Sequence, residues 1–437
     1  MRSDQLDDNR AAWLLELPPY QRLPALHAEI AADVAIVGGG LTGVSTAWHL
    51  SARFPNRRIV LLEARGLAYG ASGRNGGQVL NWINGVEPDD PAALQRIYAT
   101  TLRGITAVET LAAASALDAG FARDGCLEVY TSAAGADAAE RRLAQWSAWG
   151  MPLQWLPRRA VGVHGAHGAV LDPHAARVNA AALLRGLRPA LQARGVAIYE
   201  QTPVLRIDDG AIPALHTPHG AVRAPAVVLA TNAYTPALGF FRRGILPLHA
   251  HMVATNPLPA ARWAALGWGP YAGFSDDRDR IAYGCRTPGG RLAFGGGSNG
   301  AYTYRFGGSP VCEPVSRAAP IYAAVERRLR GYFPNLVGEP IAQRWSGPLA
   351  ITLDRVCSMG VTGAHRNIFY ALGYSGHGLA LAGLAGEVLS DLYAGHHEPW
   401  RDLPFYQRAL PHIPPEPLRW LGYHAFTKLT GRSPRRR

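Results

Sequence analysis

The stretch that most constrains this chain runs from Asp33 to Gln78, DVAIVGGGLTGVSTAWHLSARFPNRRIVLLEARGLAYGASGRNGGQ. Val34, Ile36 and Val37 form a short apolar run suited to a strand buried on both faces. Gly38, Gly40 and Gly43 follow with G-x-G-x-x-G spacing. The first glycine permits a tight turn and the second lets a pyrophosphate approach the backbone. The third lets the helix that begins near Leu41 and Thr42 pack on the strand. The helix N-terminus then turns free N–H groups and a positive dipole end toward phosphate. Ile59 to Leu62 reads as a second strand, closed by Glu63, Ala64 and Arg65. A carboxylate at that strand end can accept from both ribose hydroxyls of an adenosine. In a chain with 49 glycines the spacing alone decides little. Strand, turn, helix, strand and acid in order specify a dinucleotide site.

A second glycine-rich loop, AYGASGRNGGQ, holds Ala71, Ser72, Arg74, Asn75, Gly76, Gly77 and Gln78. Its small residues let backbone approach a flat ring or a phosphate, and its polar side chains supply donors. Near the other end, NIFYALGYSGHG repeats the strand and glycine-turn theme before a helix of small residues, Ala380 to Leu392. That helix start can face a group that gains negative charge, such as the N1–C2=O edge of a reduced flavin.

Between these units, helices are expected over 90–118, 136–149 and 175–194, with strands at 125–131, 196–200, 204–207 and 227–230. The last strand runs into Ala230 and Thr231, small residues at the carboxyl end of a parallel sheet, where ligands bind. From Pro247 the pattern turns to alternating strands, an antiparallel sheet forming its own layer. His249 and His251 share one strand face. Without a third ligand in reach they read as strand polar residues, and no metal site is expected.

Composition narrows the function classes. The formal net charge is +12, yet Lys428 is the only lysine and the arginines are scattered, apart from the cluster at 432–437. Scattered cations build no nucleic-acid groove. Cys126, Cys285, Cys312 and Cys357 form no C-x-x-C pair, which fits a reducing compartment. No apolar run reaches membrane-spanning length, and a cytoplasmic protein is expected.

Together, DVAIVGGGLTG with LLEA, YGASGRNGGQ, RLAFGGG and NIFYALGYSGHG resemble the glycine oxidase, sarcosine oxidase and D-amino-acid oxidase superfamily of FAD enzymes. The branch they most resemble is that of the gamma-glutamylputrescine oxidoreductases. The resemblance implies an α/β fold, a Rossmann-like FAD-binding domain of glutathione-reductase type interleaved with a substrate domain on a large, mostly antiparallel sheet. Residues 1–90, 160–235 and 340–437 would form the FAD domain, and 91–159 and 236–339 the substrate domain. It also implies that Gly38, Gly40, Gly43 and Glu63 hold the ADP half. Ser72, Arg74, Asn75, Gly76, Gly77 and Gln78 would line the pyrophosphate and ring. Val204, Ala230 and Thr231 would lie by the adenine side, and Gly373, Tyr374, Ser375, Gly376, His377 and Gly378 would border the isoalloxazine.

Two departures matter. Residues 70–78 contain neither histidine nor cysteine, so non-covalent FAD is expected. Sarcosine-oxidase-like members carry a lysine on the strand that here reads GRLAFGGG; Arg291 stands at the corresponding position. The expected reaction is oxidation of an amine C–N bond by hydride transfer to flavin N5, giving an imine and then an aldehyde. O2 or another acceptor would take the electrons. His377 is the candidate for stabilising the reduced ring, with His251, Tyr283, Arg286, Arg291 and Trp345 near the substrate. Two other readings stand beside this one. An amino-acid oxidase or dehydrogenase would use an arginine, such as Arg286, as a carboxylate clamp. A non-catalytic flavin-binding partner protein is the other class.

Overall fold

The computed structural model describes residues 9–278, 281–296 and 318–430; Cys312, the early acids Asp4, Asp7 and Asp8 and the terminal arginine cluster lie outside the described residues. The expected α/β architecture is present. A six-stranded sheet runs in the order Ser358–Thr362, Ile368–Leu372, Ala226–Leu229, Val34–Val37, Ile59–Leu62, Ala197–Tyr199. All its pairings are parallel except the first. Val34–Val37 and Ile59–Leu62 are buried at every position, which is why they read as unbroken apolar runs rather than alternating ones.

The helices on this sheet meet through small residues. Leu41–Arg53 lies against Gly378–Tyr393, where the Ser45 hydroxyl donates to the Gly383 carbonyl at 2.7 Å. The long helix Pro91–Ala113 crosses the same partner, and a Cβ on Gly104 would stand 2.5 Å from the Ala380 carbonyl oxygen. The small-residue pattern of 378–393 therefore records close backbone approach on two sides.

The second layer is an eight-stranded sheet in the order Ile341–Ile351, Leu246–Thr255, Leu292–Gly296, Ala282–Arg286, Gly273–Asp276, Cys126–Tyr130, Gly168–Asp172, Gln154–Pro157. It is antiparallel except where Gly273–Asp276 meets Cys126–Tyr130. Two of its strands, Gly168–Asp172 and Ile341–Ile351, fall within stretches that the sequence reading gave to the FAD domain. A four-stranded sheet and the short pair Gln78–Val79 with Ala176–Arg177 complete the strands.

The segment 175–194, expected as one helix, is a strand followed by two short helices, Ala180–Gly186 and Arg188–Ala193. Asn179 explains the late start, because its side chain accepts from the Ala181 and Ala182 N–H groups. Pro189 starts the second helix afresh. Residues 9–30, which contain Pro18, Pro19 and Pro24 and read as an extended lead-in, also have more structure than those prolines suggest. Trp13 is buried in the helix Ala12–Leu15, and its Nε1 donates to the Asn75 carbonyl at 2.7 Å.

Candidate functional site

The two glycine-turn units open onto one cavity of about 600 Å3, walled on its far side by the eight-stranded sheet. The first unit is built around Gly38, which adopts φ +111°; a Cβ there would stand 2.7 Å from the Ala230 carbonyl oxygen. Glu63 is buried and accepts from Gly39 N at 2.7 Å and Arg65 N at 2.8 Å. Burial raises its pKa, while the two backbone donors pull it back down. Two N–H groups occupy two of the carboxylate's roughly four acceptor directions and leave others for hydroxyl groups.

Ser72 fastens the second loop to the first helix, its Oγ accepting from Leu41 N at 2.9 Å. Gln78 ties the loop to the far sheet by donating to the Phe274 and Gly284 carbonyls at 2.8 and 2.7 Å. Arg74 and Asn75 were expected to point donors at a cofactor. Instead Arg74 is buried and donates through Nε to the Tyr69 carbonyl and through Nη1 to the Asn9 and Ser346 carbonyls. The Asn75 amide donates to the Ala71 and Ser72 carbonyls, and its Oδ1 accepts from Gly77 N. A glycine-rich loop has few side chains of its own to fix its shape, so these two groups are spent holding the backbone.

At the second unit, Tyr374 is buried and shares a 2.7 Å hydrogen bond with the Thr42 hydroxyl, which locks the two glycine turns together. Ser375 and Gly376 both have positive φ, and a Cβ on Gly376 would meet nothing within 4 Å. Gly70 has the same open space. The helices Leu41–Arg53 and Gly378–Tyr393 begin at the cavity wall with no acidic residue in the first turn. Two helix starts whose N-cap residues supply no side-chain cap, together with open glycine backbone, fit a long ligand carrying phosphates and a flat ring.

Of the sequence candidates, Gly38, Gly40, Leu41, Thr42, Glu63, Ala64 and Arg65 line the cavity. So do Ala71, Ser72, Arg74, Asn75, Gly76, Gln78, Val204, Ala230 and Thr231. Tyr374, Ser375, Gly376, His377 and Gly378 complete that set, and Tyr283 lines the opposite wall. Gly43, Gly77 and Gly373 stand behind the lining. Gly77 has no room for a Cβ, which would lie 2.5 Å from the Trp13 ring.

Four proposed substrate-side residues are not brought to the cavity. Trp345 is fully buried and donates to the Arg74 carbonyl at 3.0 Å, bracing the loop from behind. His251 packs edge-on against Tyr322 with ring centroids 5.4 Å apart. Arg291 donates to the Thr255 carbonyl at 3.1 Å and faces Glu16 at 3.8 Å, so its charge is committed away from the cavity. Arg286 is exposed and lies over the Trp263 ring at 4.9 Å.

The structure adds residues that the sequence reading set aside. His249, two positions before His251, is buried, lines the cavity, and has no hydrogen-bond partner at Nδ1 among the described residues. Burial, with His251 and Arg74 nearby, pushes its pKa down to about 3, so the ring is neutral at physiological pH. Burial also raises the pKa of Tyr283. Arg355 lines the cavity just after the strand Ile341–Ile351, and Asn84 donates to the Ser375 carbonyl at 2.7 Å. The register of His249 was legible, but which face of its strand met a cavity was not. No signal in the sequence singled out Arg355. No cluster of three metal-ligating side chains is found among the described residues.

Known proteins give the same picture. The profile of the family described as FAD dependent oxidoreductase, DAO, matches residues 33–392. The chain is 30% identical over 406 residues to gamma-glutamylputrescine oxidoreductase of Escherichia coli, covering 89% of this chain and 90% of that protein. It is 27% identical over 378 residues to glycine oxidase of Geobacillus kaustophilus, covering 82% and 92% respectively. The crystal structure of that glycine oxidase superposes with a TM-score of 0.70, covering 88% of this chain and 100% of the other at 23% identity. L-Proline dehydrogenase from P. horikoshii superposes with a TM-score of 0.68 at 19% identity, covering 85% and 94%.

Proposed function

The chain belongs to the DAO family of FAD-dependent oxidoreductases, and from that membership we propose that it oxidises the C–N bond of a small amine. A gamma-glutamylputrescine-like compound, or another primary or secondary amine, is the proposed substrate class. The observation that carries this reading is the composition of the wall facing the two glycine turns. There the cavity presents the neutral His249 ring, the un-ionised Tyr283 and apolar groups such as Ile281 and Leu349. Glu63 is the one carboxylate among the described lining residues, and it sits at the nucleotide turn. An ammonium ion entering that region meets no counter-ion among the described residues and loses hydration, so the neutral amine is favoured.

When bound, FAD supplies the hydride acceptor. This chain's residues hold and shape its surroundings. Gly38 to Thr42 and Glu63 take the ADP half, and Ser72 keeps the loop at 70–78 against the helix start. The helix beginning at Gly378 lines the cavity with its N-terminus, and its free N–H groups would stabilise a ring edge that gains negative charge. His249 offers an acceptor nitrogen to an amine N–H without competing for its proton. FAD is held without a covalent bond in this reading; no cysteine lines the cavity among the described residues. Arg355 on the cavity wall supports the second reading, an amino-acid oxidase or dehydrogenase, because a guanidinium there can clamp a carboxylate. It equally suits an amine with a remote carboxylate.

The test is an anaerobic panel of amines and amino acids added to the flavin-loaded protein, followed at the flavin absorbance. Bleaching by amines and not by alpha-amino acids supports the proposal. Bleaching confined to amino acids selects the second reading, and no bleaching by any member overturns both. Repeating the active members in air with peroxide detection separates O2 from another acceptor.

A further inference from the structure

The helix Leu418–Thr430 is built inside out. Leu418, Leu421 and Leu429 are 60%, 51% and 85% exposed, and with Ala425 they occupy one face at i, i+3, i+7 and i+11. Trp420, around the helix from them and against His424, is 43% exposed. The inner face buries a cation instead. Arg419 donates to the Pro414, Ile245 and Arg242 carbonyls at 3.0, 3.2 and 2.7 Å. Tyr423, one turn on, is buried against Leu248 and Ile351 and lines the cavity. A surface helix ordinarily turns its apolar stripe inward, and a contiguous exposed one marks an interaction site.

The charges around this face choose its occupant. Residues 418–437 contain no Asp or Glu. Lys428 is exposed on the helix, and Arg242 and Arg243 are exposed on the loop whose carbonyls accept from the Arg419 side chain and from Ile413 N. Arg432, Arg435, Arg436 and Arg437 come next in sequence and enter only through their charge. A two-fold contact with a second copy would set these cations against one another. An anionic bilayer instead meets leucine with acyl chains and arginine with lipid phosphate. No helix among the described residues is long and apolar enough to cross a membrane, so the contact is one of lying on the surface.

We propose that the helix Leu418–Thr430 docks this protein on an anionic lipid surface, with Leu418, Leu421 and Leu429 entering the headgroup layer and the flanking cations meeting lipid phosphates. Apolar burial and a polybasic patch are the two signals that together give stable surface binding, where either alone is marginal. Because the opposite face of the same helix carries Tyr423, docking sets the cavity wall about one helix diameter, roughly 10 Å, from the bilayer.

The experiment is co-sedimentation of the flavin-loaded full chain with vesicles of phosphatidylcholine, with and without phosphatidylglycerol. Binding is expected only with phosphatidylglycerol, and weaker at high salt. The pair L421E and L429E together should abolish it while flavin absorbance is unchanged. R242Q and R243Q should each weaken it roughly fivefold, as for one surface cation. If the leucine changes cost the bound flavin, R435Q and R436Q carry the test, with the same stepwise weakening expected. Failure of the parent protein to bind phosphatidylglycerol vesicles overturns the proposal. So does a dimer in sedimentation equilibrium that L421E dissociates, because the face would then be an interface between copies.

Discussion

Glu63 shows how one carboxylate can fix a turn and still offer acceptor positions to a ligand. Its two oxygens fix Gly39 N and Arg65 N on either side of the site. Glu63→Ala leaves both buried donors without an acceptor as well as removing the proposed ribose contact. FAD affinity, read by fluorescence titration, is expected to fall by about 10- to 100-fold, corresponding to about 1.5–3 kcal/mol for a charge-assisted hydrogen bond. Glu63→Gln, which keeps one acceptor, should lie between. The buried histidines predict the pH response. His249 and His251 titrate at about 3 and about 4 in the folded chain, below the ordinary histidine value. As pH falls through about 6.5 the unfolded chain takes up protons that the folded chain refuses. Stability is therefore full above that range and falls below it, by about 1.4 kcal/mol per pH unit for each imidazole. Denaturant titrations between pH 7 and pH 5 should show this slope, and His249→Phe should remove one imidazole's share.

Among the elements, the helix Gly378–Tyr393 does most to shape the site, because it starts from the glycine turn and touches two other helices. Its residues Gly383 and Gly386 are there for contact. A Cβ on Gly386 would meet the Ser45 backbone, and one on Gly383 would stand 2.6 Å from Val108 Cγ2. Gly386→Val is expected to destabilise the fold by about 1–3 kcal/mol, since backbone cannot step aside as a side chain can. Thermal unfolding of the flavin-free protein measures it. The same substitution should loosen FAD through the Thr42–Tyr374 link. Gly395→Ala, at the far end of this helix where no atom lies within 4 Å of a Cβ, should affect stability only through its φ of +79° and leave FAD affinity unchanged.

At the scale of the whole molecule, the cavity joins the parallel and antiparallel layers through Gln78, Tyr283 and the strand pair at 341–351 and 246–255. A ligand that spans both layers stabilises the folded chain by mass action. Saturating FAD at 100 times its Kd is expected to add about 2.7 kcal/mol and to raise Tm in proportion. The cofactor should be released on acid precipitation; retention with the precipitate would show a covalent tether through one of the cavity histidines.

The amino-acid sequence by itself determined the nucleotide half of this protein. Strand, glycine turn, helix and acid are contiguous from Asp33 to Glu63, and each imposes a local backbone requirement that only certain residues meet. The second loop and the turn at 373–378 were legible for the same reason, as glycine spacing records backbone geometry. The substrate wall was not legible. His249, Tyr283 and Arg355 come from separate strands and a turn, and whether a strand residue meets a cavity or a core depends on what packs against its face. That choice set Trp345 behind the loop, tied the Arg74 and Asn75 side chains to the loop backbone while both still line the cavity, and turned Arg291 toward Glu16. It also left the apolar face of Leu418–Thr430 outward. Only the tertiary structure decides such matters, because a side chain's role follows from its neighbours in space, and those lie tens to hundreds of residues away along the chain.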